Sequence, residues 1–140
     1  MKSAICTACG AVGTFIAAAL GGWDAAIIAL CSFMAIDYVT GLIVAAVFHA
    51  SKKTESGAVN SKAAFKGLLK KCMILLLVVV ANLLDKQIGA SYIRDGVCIA
   101  FMVNEVISII ENASLMGLPI PAVITIALDV LKAKQEGEKA

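Results

Sequence analysis

Two carboxylates interrupt apolar stretches of this chain, and they are the residues best suited to chemistry. Asp37 lies near the middle of residues 25–49, a run longer than a bilayer is thick, and Glu105 lies within residues 96–112. A charge at the bilayer centre costs roughly 2.5 to 3.5 kcal/mol on insertion scales, so each carboxylate should face protein or water, or be protonated. No hydrolytic motif accompanies the pair, so the pattern indicates a functional polar site rather than acid–base catalysis.

Other catalytic or metal-binding patterns are not supported. The chain has a single histidine, His49, without a neighbouring nucleophile motif, and it has no glycine-rich phosphate loop. Cys6 and Cys9 form a C-x-x-C pair, but no second pair exists, and all five cysteines lie in or beside apolar runs. Cysteines in such positions usually serve as small side chains where helices pack together. We therefore expect no enzyme, no metal site and no cofactor.

The composition predicts an all-α membrane protein. The chain has 140 residues, of which 61% are hydrophobic, and its mean hydropathy is +0.94. Globular chains are only about 45–50% apolar, and here the excess lies in long unbroken runs. We predict a single membrane domain, residues 1–140, with about four transmembrane helices, three being the alternative. The predicted spans are residues 4–20, 25–49, 67–84 and 96–112.

The first apolar run, residues 4–20, allows two interpretations. Ala17 to Ala19 could precede a cleavage site, as in a signal peptide. Alternatively, small residues at every fourth position, such as Gly13, Ala17 and Gly21, form a ridge that lets helices approach closely in a membrane. We favour a retained span because another span follows almost at once. If the run is cleaved or lies in the interface, three spans remain.

A basic segment, residues 50–71, separates the second and third runs. It contains no arginine, which argues against nucleic acid, and its lysines are typical of a cytoplasmic loop. We predict a helix from Ser61, as its N-cap, that lies on anionic headgroups, the alternative being the solvated start of the third span. Four spans would place both termini in the cytoplasm. The predicted membrane-surface lysines are Lys62, Lys66, Lys70 and Lys71.

The fourth run carries a polar stripe. Asn104, Ser108 and Glu111 recur at helical spacing, with Glu105 and Asn112 beside them, and together they cover about a third of the circumference. Such a stripe cannot face lipid. It either forms hydrogen bonds inside one subunit, worth about 0.6 kcal/mol each, or it mediates self-association. We favour self-association for the stripe as a whole, while a single hydroxyl such as Ser108 is better explained by internal bonds.

The remaining elements are short. Pro121 can open a helix, and residues 121–134 have apolar and polar faces but are too short to span, which predicts an amphipathic helix on the membrane surface or at a subunit contact. Residues 135–140 are predicted to form a loose charged tail. Because we find no lysine or arginine at the depth of Asp37, we expect it to be protonated or hydrogen-bonded. The candidate partners are Thr40, Asn82, Asn104 and a backbone donor.

Four short elements, in order, carry a resemblance to a known family. The segment Asp37-Tyr38-Val39-Thr40-Gly41 resembles the D-x-x-T-G element of the phage holin family that also includes clostridial toxin-export proteins. Ser61 followed by Gly67-Leu68-Leu69-Lys70-Lys71 resembles its S…G-x-x-[KR]-K element. Residues 104–112 are similar to its N-E-x-x-S-I-x-E-N element, and Gly117-x-Pro119-x-Pro121 fits as well. The matched region covers about residues 36–121.

The resemblance implies a function that the residues alone do not give. Such holins accumulate in the bacterial cytoplasmic membrane as multi-pass proteins, form homo-oligomers and open lesions that a cell-wall hydrolase or a toxin crosses, without a cofactor. The resemblance also adds Tyr38 and Gly41 to the intramembrane polar residues of the sequence, which are Asp37, Thr40, Asn82, Asn104, Glu105, Ser108, Glu111 and Asn112. Two alternatives from other classes stay open: a structural or anchor subunit of a membrane assembly, and a small ion channel using Asp37 and Glu105.

Overall fold

The computed structural model describes residues 1–139, with side chains up to residue 137, and this part of the chain contains five α-helices and no strand. The prediction of an all-α protein is therefore confirmed. The helices are α1 (Lys2–Ala19), α2 (Ala25–Ala46), α3 (Ser61–Ile88), α4 (Ile93–Leu115) and α5 (Ala122–Lys139).

Three of the described helices, α1, α2 and α3, are long and apolar enough to cross a membrane. The fourth predicted span corresponds to α4, which is not among these three. It packs most extensively on α2 and also along α3. The count of four spans therefore stays a prediction.

Several helix ends differ from the expected boundaries. Ser61 is not the N-cap of α3, because the side chain of Asn60 accepts hydrogen bonds from the Lys62 and Ala63 amides at 2.9 and 3.3 Å. Asparagine caps well because its short carbonyl reaches the free amides of the first turn. Helix α2 ends at Ala46, three residues early, and His49 beyond it has a positive φ of 49°.

The last two helices are longer than predicted. Helix α4 begins at Ile93 rather than residue 96, so Arg94 and Asp95 belong to its first turn and not to the preceding connection. Helix α5 runs from Ala122 through Lys139, so most of the expected tail is helical; residue 140 lies outside the described residues. The polar residues after position 131 do not end the helix, since glutamine, glutamate and lysine are good helix formers.

The core lies between α2, α3 and α4. Their buried residues recur at spacings of three and four, as on helices that present one face to their neighbours. The apolar centre of the core consists of Leu20, Ile27, Leu30, Met34, Val78, Cys98, Ile99 and Met102. Above and below this centre, the same faces carry polar residues, which form two separate clusters.

Helix α1 stands apart from this bundle. None of its side chains is buried, although Leu20, directly after it, belongs to the core. The chain then turns at Gly21 and Gly22, whose φ angles of 87° and 109° favour glycine. An apolar helix of 18 residues with exposed side chains suits an environment of lipid or of a neighbouring subunit.

Candidate functional site

Three charged side chains from three helices meet inside the bundle, and we call them the buried triad. The Nζ atom of Lys71 on α3 lies 2.8 Å from Oδ2 of Asp37 on α2 and 2.5 Å from Oε2 of Glu105 on α4. The exposed side-chain fractions are 13% for Lys71, 7% for Asp37 and 8% for Glu105. One ammonium group therefore bridges two carboxylates and ties α2, α3 and α4 together.

The amide of Asn112 completes the surroundings of Asp37. Its Nδ2 atom lies 3.1 Å from Oδ1 of Asp37 and 3.0 Å from Oγ1 of Thr40. Thr40 in turn donates its hydroxyl to the Ile36 carbonyl at 2.8 Å. Each oxygen of the Asp37 carboxylate thus has a donor, which is how a buried carboxylate is tolerated.

The charges of the buried triad do not balance. Two carboxylates and one ammonium group carry a formal charge of −1. At an effective dielectric constant of 20, a contact of 2.8 Å is worth about 6 kcal/mol, which is offset by several kcal/mol of desolvation for each ion. The cluster is therefore stable only as a unit, and the removal of one member should be far more costly than the removal of all three charges.

The prediction of hydrogen-bond partners for the Asp37 carboxylate was wrong, since its partners are Lys71 and Asn112. A cation does reach its depth, because Lys71 points into the bundle instead of lying with the surface lysines. Asn82 instead donates to the Ala19 carbonyl at 3.0 Å, and Asn104 is exposed. The hydroxyl of Thr40 donates to backbone carbonyls rather than to the carboxylate.

A signal for the role of Lys71 was present in the sequence. On α3, Lys71 begins a series in which successive members lie three or four residues apart. The series continues through Ile74 and Val78, which pack in the core, to Ala81 and Asp85. By contrast, Lys66 and Lys70 fall on the exposed side. Lys71 therefore differs from the other lysines in its position on the helix, since it lies in line with the buried face, and not in the charge of its neighbours in the sequence.

The polar stripe of α4 divides between two environments. Glu105 and Asn112 are buried in contacts with Asp37 or Lys71, whereas Asn104 and Glu111 are exposed. Ser108 is half-buried. The interpretation as bonds within one subunit thus holds for Glu105 and Asn112, and self-association stays a prediction for Asn104 and Glu111.

A cavity of about 510 Å³ opens beside the buried triad, and we call it the basic-side cavity because it reaches the lysine-rich segment. Tyr38 and Gly41, which the family resemblance added to the polar set, both line it. The Tyr38 hydroxyl donates to the Ala64 carbonyl at 3.4 Å, which joins α2 to the first turn of α3. Asp37 and Glu105 lie at the wall of this cavity, so the triad faces a space that can hold water or a ligand.

A second polar cluster lies at the opposite end of the bundle, around Arg94. Its guanidinium group binds the Asp24 carboxylate through two contacts of 2.9 and 3.0 Å, and Nε donates to the Leu20 carbonyl at 2.5 Å. The two-pronged geometry makes this a strong type of ion pair. It fixes the turn between α1 and α2 against the start of α4. The sequence analysis assigned no role to Arg94 and missed this contact.

One further residue, Asp85, helps to hold this end together. The Asp85 carboxylate accepts hydrogen bonds from the Ile93 and Arg94 amides at 3.0 and 2.9 Å, which caps α4. The hydrogen bond from Arg94 is the largest influence on Asp24 and lowers the pKa of that carboxyl, while the same bond raises the pKa of Arg94. The cluster is thus a structural clamp on helix ends.

Within the described residues, no group of three histidine, cysteine or acidic side chains is placed to hold a metal ion. The five cysteines are free thiols, and only Cys98 is buried. The polar chemistry of the described structure is therefore concentrated in the buried triad, the basic-side cavity and the Arg94 clamp.

Comparison with known proteins gives a consistent assignment. The sequence profile of the bacteriophage holin family matches residues 14–133. An uncharacterized protein of Clostridium perfringens is 35% identical over 93% of both chains, and a second uncharacterized protein of that species, of 14.9 kDa, is 33% identical over 89% of both. A probable holin of Bacillus phage phi105 is 32% identical over 72% of this chain and 70% of its own. No solved structure matches the chain.

Proposed function

Since the chain belongs to the bacteriophage holin family, we propose that it accumulates in the bacterial cytoplasmic membrane, self-associates and opens lesions that a cell-wall hydrolase or a toxin crosses. The family match over residues 14–133 carries this proposal, because that region holds the whole packed bundle and the buried triad. The similarity to a probable holin of a Bacillus phage supports it.

The arrangement of the bundle supports four crossings with both termini in the cytoplasm. Helix α4 lies beside α2 over most of its length, since Arg94 contacts Asp24 near one end and Asn112 contacts Asp37 near the other. A helix paired in this way reaches the same depths as its neighbour. The lysine-rich segment then marks the cytoplasmic side by the positive-inside rule.

The exposed polar residues of α4 suggest where subunits meet. Asn104 and Glu111 are exposed on the same side of α4, two turns apart. Exposure of an asparagine and a glutamate to hydrocarbon is costly, so at membrane depth they need water or another subunit. We propose that they face neighbouring subunits and then line water when a lesion opens.

The buried triad would hold α2, α3 and α4 of each subunit in the closed arrangement. In the closed bundle, its charges are stabilised by one another and are shielded from lipid. Once assembled subunits surround water, separating the same ions costs little, because exposed ion pairs are worth only about 0–1 kcal/mol. The stability of the triad would therefore set the time at which bundles rearrange into a lesion.

Inducible expression in a bacterium tests this function. We expect an abrupt loss of membrane potential and, with a co-expressed cell-wall hydrolase, sudden lysis. Glu105→Gln should shift the time of lysis, whereas Glu55→Gln, which removes an equal charge from an exposed loop position, should not. Normal growth at high abundance in the membrane would contradict the proposal.

A small ion channel is the second candidate, because the basic-side cavity reaches two buried carboxylates. In planar bilayers, a channel would give ion-selective currents of fixed unit size that scale with protein amount. A holin would give large, poorly selective openings that appear suddenly. The conductance and the selectivity therefore separate the two functions directly.

A further inference from the structure

Three lysines other than Lys71 line the basic-side cavity. Lys53 comes from the loop after α2, and Lys66 and Lys70 come from the first turns of α3. None of the three forms an ion pair with a side chain in residues 1–137, whereas Lys71 is fully used by the two carboxylates. Three free ammonium groups thus converge on one concave space from two walls.

One of these lysines reaches well into the cavity. The Nζ atom of Lys53 lies 3.9 Å from the position that a Cβ on Gly41 would occupy. Gly41 lies on α2, one turn after Asp37, so the loop side chain extends over the helix surface. Ser51 and Thr54 line the same space. The Thr54 hydroxyl donates to the Ala58 carbonyl at 3.0 Å, so the Ser51 hydroxyl is the additional donor for a ligand.

The charge at the cavity wall favours an anion. Four lysines and two carboxylates line it, which gives a formal charge of +2. Both carboxylates are already bound by Lys71, so the ammonium groups left for a ligand are those of the three free lysines. Lysine recognises phosphate as a compact point charge with three donors.

Apolar residues beside the lysines indicate that the anion carries a hydrocarbon part. Leu42, Val59 and Ile74 line the same cavity. Lys70 and Lys71 directly precede the long apolar run of α3, so the cavity lies where that helix passes from the basic segment into its hydrophobic part. Basic pockets between membrane helices at this level are known binding sites for anionic lipid headgroups.

We propose that the basic-side cavity binds the phosphate group of an anionic phospholipid, of the phosphatidylglycerol class, from the leaflet that faces the lysine-rich segment. The lysines 53, 66 and 70 hold the phosphate, and the apolar wall holds the beginning of the acyl chains. This inference requires α2 and α3 to lie in a bilayer, but it does not depend on lesion formation.

Native mass spectrometry of the full chain, released from detergent with equal amounts of phosphatidylglycerol and phosphatidylcholine, tests the proposal. We expect phosphatidylglycerol to be retained preferentially. The double variant Lys53→Gln with Lys70→Gln should weaken this retention about tenfold, because each lysine contributes strongly to anionic-lipid binding. The matched control, Lys52→Gln with Lys62→Gln, removes the same charge from lysines outside the cavity and should retain the lipid.

Three results would overturn the proposal. Equal weakening in both double variants would mean that the lipid senses only the overall charge of the segment. Equal retention of phosphatidylcholine would rule out recognition of an anion. Displacement by inorganic phosphate as effective as by phosphatidylglycerol would identify a soluble phosphate as the ligand. Circular dichroism of both double variants verifies that a loss of binding is not a loss of folding.

Discussion

The buried triad makes a quantitative prediction about Lys71. Its replacement by methionine keeps a side chain of similar length but leaves the carboxylates of Asp37 and Glu105 buried without a cation. The two contacts, at 2.8 and 2.5 Å, are each worth about 6 kcal/mol or more at an effective dielectric constant of 20, before desolvation is subtracted. Removing one partner of a buried pair typically costs about 3–5 kcal/mol. We expect Lys71→Met to lower the free energy of unfolding by that amount.

Equilibrium unfolding in mild detergent, followed by circular dichroism at increasing denaturant, measures this loss. Lys70→Met is the matched control, because the neighbouring lysine is exposed and a surface substitution usually changes stability by less than about 0.5 kcal/mol. A triple variant that adds Asp37→Asn and Glu105→Gln to Lys71→Met removes all three charges. It should recover most of the loss, because a neutral replacement of a whole buried ion group is often harmless.

Two outcomes would refute this reasoning. If Lys71→Met and Lys70→Met unfold with the same free energy, the triad does not stabilise the bundle. If the triple variant is as unstable as Lys71→Met alone, the loss comes from the shape of the lysine side chain and not from unpaired charge.

Three further predictions concern the other polar contacts. Gly21→Ala should destabilise by about 1–3 kcal/mol in thermal unfolding, because φ is +87° and a Cβ would lie 2.7 Å from Nε of Arg94. Gly13→Ala, in open space within α1, should not destabilise, because alanine has the higher helix propensity. Arg94 lowers the pKa of Asp24 below its usual 3.8, so the Asp24–Arg94 pair stabilises the fold above that pH, and this stabilisation is lost as the pH falls through the lowered pKa. Asp24→Asn keeps the helix cap but should flatten the acid dependence of the free energy of unfolding. The change should be less than about 1 kcal/mol, because the carboxyl is half-exposed. Asn112→Ala should cost about 1–3 kcal/mol in denaturant unfolding, because it leaves buried acceptors without a donor.

The secondary structure followed closely from the sequence, because hydrophobic runs and their breaks are local features. Residues 25–49 predicted α2 to within three residues at its end, and the glycines at 21 and 22 mark a turn. The exceptions are also local: the cap at Asn60 in place of Ser61, and an α4 that begins before Arg94. A helix end depends on a few side-chain hydrogen bonds that composition does not reveal.

Only some residues of the buried polar site could be predicted from the sequence. The sequence alone singled out Asp37, Glu105 and Asn112, since a polar residue in an apolar run is conspicuous wherever it lies. It placed Lys71 with the surface lysines, because neighbours in the chain share a charge but not a helix face. Lys71 lies one residue, or about 100°, from Lys70, and that rotation separates an exposed lysine from one whose side chain is only 13% exposed.

The pairing itself was decided only by the tertiary structure. Lys71 is 34 residues from both Asp37 and Glu105, and Arg94 is 70 residues from Asp24. Contacts at such separations depend on how far neighbouring helices are shifted along one another, and this shift is set by the packing of Ile27, Leu30, Val78 and Cys98 in the core. The sequence thus determined which carboxylates interrupt the apolar runs, whereas the packing of the three helices brought Lys71 to them and decided which charges meet.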